Sequence, residues 1–207
     1  MKKLILVWAF TGFLTAAMAQ DEKEEKKHSF KKENLFAGGS IAASFFNGTT
    51  LLGISPYFGY SINKYVDIAA VLNFHYISQR DYVQFGDKAR QSDFGPGAFV
   101  RLFPVNFLFA QAQYEHNFIK FKYIPATNGT YAPFTKKIDA NSLLVGGGYT
   151  SGRRNGENSF YYISLMWDVS RVDGSPYVDQ LGRNFPIIKA GYNIALFQGN
   201  GRKRKNN

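Results

Sequence analysis

Gly95-Pro-Gly-Ala-Phe-Val-Arg-Leu-Phe103, Pro104-Val105-Asn106 and Phe107-Leu-Phe-Ala-Gln-Ala-Gln-Tyr-Glu-His-Asn-Phe118 read as a strand, a turn and a second strand. After the turn the side chains alternate. Leu108, Ala110, Ala112, Tyr114 and Phe118 share one face, interrupted by His116, while Gln111, Gln113, Glu115 and Asn117 share the other. A period of two places apolar and polar residues on opposite sides of one strand. A soluble sheet would need helices or a second sheet over the apolar side, and no helical period follows Leu35 to supply one. Lipid is the remaining cover, with the polar side lining the interior of a transmembrane barrel.

Outward from this hairpin the same alternation recurs. Strands are expected at 35–46, 51–62, 66–78, on both sides of Pro104-Asn106 with the second reaching Tyr123, and at 140–150, 159–170 and 185–197, eight in all. Asn47-Gly48 is a two-residue hairpin signal. Pro56 lies inside the second strand, where its missing amide predicts a local bulge. These strands run to about ten residues or more, the length a tilted strand needs to cross a bilayer. Short turns follow the second, fourth and sixth strands, and long connections at 79–91, 124–138 and 171–184 follow the third, fifth and seventh. The short turn after the first strand is the exception. The expected fold is all-β, an eight-stranded antiparallel up-and-down transmembrane β-barrel.

The 207 residues suffice for one domain. Thirteen Tyr and 20 Phe suit strands with aromatic girdles, and a mean hydropathy of −0.25 fits strands that are only half apolar. Lys2 and Lys3, the apolar run Leu4 to Ala16 and the small-x-small site Ala17-Met18-Ala19 mark residues 1–19 as a secretory signal peptide. Residues 20–33, with five acids and five lysines, form a charged periplasmic leader. The barrel is assigned to 34–197 and a basic tail to 198–207, which places the protein in the cell outer membrane. Without the two signal lysines, 23 basic residues face 15 acidic ones, a net +8, and half of that excess is Arg202-Lys203-Arg204-Lys205. Export argues against nucleic acid as the acidic partner and favours phosphate-bearing lipid. The chain has no Cys and three scattered His, so no disulfide, thiolate chemistry, metal site or cofactor is expected.

Ser55-Pro-Tyr-Phe-Gly-Tyr60, Phe109-Ala-Gln-Ala-Gln-Tyr-Glu115 and Ser142-Leu-Leu-Val-Gly-Gly-Gly-Tyr149 resemble the small outer-membrane β-barrel proteins of Gram-negative bacteria. The likeness covers nearly all of 35–197 and implies an eight-stranded barrel inserted in the outer membrane. It implies no shared catalytic residues. Chains of this family end at or near an aromatic that closes the last strand, whereas here Phe197 is followed by ten further residues.

The expected inward polar set is Asn73, His75, Arg101, Gln111, Gln113, Glu115, Asp168, Lys189 and Asn193. An eight-stranded interior is just wide enough for side chains to fill, so these residues read as a hydrogen-bonded plug, with an ion pathway as the lesser alternative. Lys120 and Lys122 share the outer face of His116 and stand where lipopolysaccharide phosphates would meet them; solvated strand ends are the plainer reading. Tyr82 to Asp87, Tyr131, Phe134 and Tyr177 give the exposed loops aromatics for a protein partner. The leading function is therefore a non-enzymatic barrel acting in surface interaction or envelope integrity. A lipid-modifying enzyme using His116 as base stands second and a soluble lipocalin-like carrier third.

Overall fold

A computed structural model describes residues 30–127, 129–153, 159–170, 172, 174–179 and 182–198. The signal peptide, the leader as far as Ser29, Arg154-Asn155-Gly156 of the sixth turn and the basic tail beyond Gln198 lie outside them. A 3-10 turn, Lys32–Asn34, leads into eight strands: β1 Leu35–Phe46, β2 Thr49–Ser61, β3 Val66–Arg80, β4 Lys88–Val105, β5 Leu108–Ile124, β6 Phe134–Thr150, β7 Phe160–Asp168 and β8 Ile187–Ala195. Each pairs antiparallel with the next, and β1 pairs with β8, so the sheet closes into a barrel in chain order. The expected fold is the one found.

Closure leaves one end with the start of β1, the end of β8 and the turns after β2, β4 and β6, and the other with the Asn47-Gly48 turn and the loops 81–87, 125–133 and 169–186. Asn47 and Gly48 both have positive φ, 45° and 72°, as the tight hairpin requires. Pro56 makes no bulge: β2 and β3 hold one register from Thr49↔Gln79 to Ser61↔Asp67. The shift falls instead between Leu102 and Val105, where β4 meets the Pro104 turn.

Two of the long connections are shorter than expected because the strands run on. β4 begins at Lys88 and β6 at Phe134, so β3 to β6 have 15, 18, 17 and 17 residues, against 12, 13, 9 and 9 for β1, β2, β7 and β8. Four adjacent strands thus rise beyond the rest of the barrel as a wall.

The outer surface carries Ile41, Leu52, Ile54, Phe58, Phe74, Phe94, Tyr114, Phe118, Val145, Ile163, Trp167 and Ile194, all exposed. Contiguous apolar surface of this extent belongs on a membrane-spanning protein. Inside, residues of the opposite parity are buried. Toward the short-turn end they form an aromatic layer of Phe36, Tyr57, Phe99, Phe103, Phe109, Phe160 and Tyr162. Toward the loops, Leu51, Ile77, Leu144, Met166 and Ile187 surround Tyr177 and Phe185. Large inward rings fit because glycines stand opposite them: a Cβ at Gly38 would lie 2.5 Å from the Tyr57 ring, and one at Gly53 2.1 Å from His75.

Candidate functional site: the filled lumen and the raised wall

At the short-turn end Arg153 turns back into the barrel from the turn after β6. Its Nη1 and Nη2 each donate to an Asp67 carboxylate oxygen at 2.9 Å, its Nη2 also donates to the Asn63 carbonyl, and its guanidinium lies 4.0 Å from the Phe103 ring centre. Deeper in, the Arg101 guanidinium sits among Tyr162, Phe109, Phe99 and Tyr57 at 4.5, 4.6, 4.9 and 5.9 Å. The ring faces give this buried charge the electrostatic partner that water would otherwise provide.

From Arg101 a chain of side chains runs along the inward face of β5. Arg101 Nε donates to Gln111 Oε1 at 3.0 Å, Gln111 Nε2 to Gln113 Oε1 at 2.9 Å, and Gln113 Nε2 to Glu115 Oε1 at 2.6 Å. Residues two apart on a strand face the same way, and the length of Gln and Glu lets each reach the next. Gln113 also donates to Asn73 Oδ1, and Asn73 Nδ2 to the Gly95 carbonyl. Lys189 Nζ stands 3.9 Å from Glu115 Oε1, pairing the two buried charges. Buried ions need such pairing together with hydrogen bonds.

The loop 169–186 completes this interior. Tyr177 is wholly buried; its hydroxyl donates to Glu115 Oε2 at 2.6 Å and lies 3.4 Å from His75 Nδ1. This corrects the placement of Tyr177 among the exposed loop aromatics: its ring fits the apolar collar of the barrel mouth, and its hydroxyl has a carboxylate below. Tyr131 and Phe134 are exposed. Asp168 sits at the root of the same loop, accepting from Ser175 Oγ, Ser170 Oγ and the amides of Leu143 and Ser170. Asn184 Nδ2 donates to its carbonyl. Asn193 is buried on the inward row of β8. Seven of the nine inward residues thus share one connected cluster, while Asp168 organises the loop.

On the outer face the His116 ring bonds through Nδ1 to Asn141 Oδ1 at 2.7 Å and meets Phe118 edge-on at 4.8 Å. Its hydrogen-bond partner is an amide, not the serine or carboxylate that a general base would activate or be oriented by. Above it the outer face turns basic. Arg90 stands directly across from Lys122, and Lys120 from Lys137, all four exposed. Like charges opposite one another destabilise a strand pair, so this quartet calls for anions. Asp139, opposite Phe118, is a carboxylate on the same face of β6. Arg90 and Lys137 escape a reading that puts 79–91 and 124–138 in loops; the signal was there in the continuing alternation Phe94, Ser92, Arg90, Lys88.

On the inner face of the wall β5 is aromatic, with Gln91 and Lys136 directly across from Phe121. Phe121 and Tyr123 face Phe134 at 5.9 and 5.4 Å, and Tyr82 packs on Phe121 at 5.4 Å. At the rim the Asp87 carboxylate accepts from the amides of Tyr82, Val83 and Gln84 and from the Tyr123 hydroxyl. Burial alone would raise this carboxyl, but these four bonds outweigh it and hold it below the usual carboxylate range.

No family model and no curated protein matches the sequence. Among solved structures the chain is similar to Ail, the attachment invasion locus protein of Yersinia pestis, at 9% identity over 78% of this chain and 99% of that one, with a TM-score of 0.46. It is also similar to the N-terminal β-barrel domain of Pseudomonas aeruginosa OprF, at 15% identity over 78% and 98% with a TM-score of 0.41. A third is Neisserial surface protein A, at 13% over 78% and 96% with a TM-score of 0.38.

Proposed function

We propose that this chain is an outer-membrane barrel with a side-chain-filled lumen, acting through its raised wall and loops in surface interaction or in the integrity of the envelope. The observation that carries this reading is the reversal of polarity along single strands. On β5 the outward row passes from Ala112, Tyr114 and Phe118 to Lys120 and Lys122, while the inward row passes from Gln113, Glu115 and Asn117 to Ile119, Phe121 and Tyr123. A strand that crosses lipid and then emerges into water needs that change and a soluble barrel does not. The connections support the side of emergence: short turns suit the periplasmic end and longer loops the outside.

Lys120 and Lys122, joined by Arg90 and Lys137, stand just above the Phe74, Phe94 and Phe118 rings, which pack in sequence at 5.1 and 6.2 Å, the first pair tilted and the second stacked. Phosphates of outer-leaflet lipopolysaccharide would sit at that height and offset the opposed cations.

Fractionation of cells tests the location: recovery in the outer membrane, soluble only with detergent, is expected, and recovery in the soluble periplasm overturns the proposal. Planar-bilayer recordings test the plug. The pure protein should give no steady conductance, and large stable steps would contradict a filled lumen. Lipid A mass spectra with and without the protein should be the same; a changed spectrum would favour the enzyme.

A further inference from the structure

The loop 81–87 carries its most apolar side chain on the outside. Phe85 is 93% exposed and Val83 54%, yet the loop is tied down from within. Asp87 collects the three amides and the Tyr123 hydroxyl, Asp81 Oδ1 accepts from the Gly86 amide at 2.7 Å, and the Asp81 amide donates to the Asp87 carbonyl at 3.0 Å. Asp81 holds a φ of 54°, in the left-handed region that costs a non-glycine residue energy. Joining β3 to β4 requires none of this, since two residues suffice for such a turn. The effect of the arrangement is to fix Phe85 in water.

Phe85 cannot reach the bilayer around its own barrel. The outward row of β4 runs from Phe94 in the apolar belt through Ser92 and Arg90 to Lys88, about 20 Å of strand, before the loop begins. Lys88 and Arg90 form the rim just below the tip, and both are exposed.

We propose that the 81–87 tip is a docking surface for an acidic protein, with Phe85 as the side chain that enters an apolar pocket of the partner and Lys88 and Arg90 as the charges that meet its acidic rim. A single rigid aromatic with a charged surround is how protein interfaces concentrate their binding energy. Holding the loop in place beforehand removes the ordering cost that a flexible tip would incur on binding. The proposal rests on the surface reading above for the side of the membrane that the tip faces.

The test uses the mature chain in phosphatidylcholine nanodiscs, titrated with two labelled peptides, one alternating Glu with Leu and one alternating Glu with Ser. Phe85→Ser changes an exposed residue, and its folding is checked by gel mobility before and after heating. The Glu–Leu peptide should bind about tenfold or more weakly to Phe85→Ser, while the Glu–Ser peptide should change by less than about twofold. Lys88→Glu with Arg90→Glu should weaken both by about tenfold or more. Equal binding of the Glu–Leu peptide to wild type and Phe85→Ser would overturn the proposal. So would Phe85-dependent capture of phosphatidylglycerol vesicles in place of the peptide, since the tip would then be a membrane anchor. Binding in nanodiscs does not depend on cellular location, so failure here and failure of the fractionation are separate results.

Discussion

Within the membrane band β5 is apolar outside and mostly polar inside; in the wall above, the same strand is basic outside and aromatic inside. The backbone does not change phase between the two. β5 keeps its even residues outward from Leu108 to Lys122, paired in one register with β6 from Leu108↔Tyr149 to Tyr123↔Phe134. What changes is the solvent. In lipid the outer face must be apolar and the core can hold charge, with Lys189 paired to Glu115 and Arg101 set among aromatic rings. In water the inner face has to supply hydrophobic cover, which Phe121, Tyr123, Phe134 and Tyr82 do. The reversal between Phe118 and Lys120 marks the boundary, and each storey can be tested with the same kind of substitution.

The largest expected contrast uses one arginine at two heights on one face. Ala112→Arg places a charge on the outer face of the membrane band and should cost about 2–4 kcal/mol by the penalty at mid-bilayer. Lys122→Arg, five turns of the alternation further along the same row, should cost about nothing, within ±0.5 kcal/mol. Urea unfolding in phospholipid vesicles measures both. A cysteine scan with a lipid-borne quencher places the boundary: labels at the even positions 108 to 118 should be quenched, and those at 120 and 122 spared. Equal quenching at both parities would mean that the outer face is not in lipid at all.

A smaller contrast removes one phenol hydroxyl from each storey. Tyr177→Phe takes the donor from Glu115 inside the barrel, where the carboxylate is fully enclosed, and should cost about 1.5–3 kcal/mol. Tyr123→Phe takes a donor from Asp87, which keeps three backbone amides, and should cost about 0.5–1.5 kcal/mol. Unfolding midpoints in vesicles report the first. Hydrogen exchange of the loop amides reports the second, whose effect on the barrel amides should be absent. A reversed order would show that the wall and not the plug is the more tightly built storey.

The two storeys also differ in how much of them is legible from sequence. Alternation along 108 to 118 exposes the membrane band because lipid forces a strict division between its faces; Gln113 and Ala112 declare opposite sides at a glance. The wall is harder, since in water Lys, Gln and Asp occur on strands and in loops alike. Arg90 and Lys137 therefore look like loop residues until their strand partners are known. The 169–186 segment is hardest. Nothing local in Ser175-Pro176-Tyr177 says that the ring turns inward, because its partners Glu115 and His75 lie 62 and 102 residues away. Arg153 finds Asp67 across 86 residues for the same reason. Pairs of this kind depend on barrel closure, not on any local pattern, whereas the bulge expected at Pro56 failed because proline sits in β2 without disturbing its register.

The smallest expected effect concerns acid. Asp87 holds the loop amides of Tyr82, Val83 and Gln84 most strongly when it is ionised, and its folded pKa lies below that of the unfolded carboxylate, about 3.9. A group depressed in this way contributes its full stabilisation above the unfolded value and loses it as pH falls through the folded one. Loop order should thus be flat from pH 7 to pH 5 and decline only below about pH 4. NMR in detergent micelles can follow the three amides, each of which should lose exchange protection together with its neighbours, while amides of β5 within the membrane band keep theirs. Asp87→Asn should show weak loop protection at every pH and no acid step, because an amide oxygen accepts without carrying the charge. A fall in protection between pH 7 and pH 5, or an acid step that survives in Asp87→Asn, would put the control of the tip elsewhere. The rigid presentation of Phe85 would then need another cause.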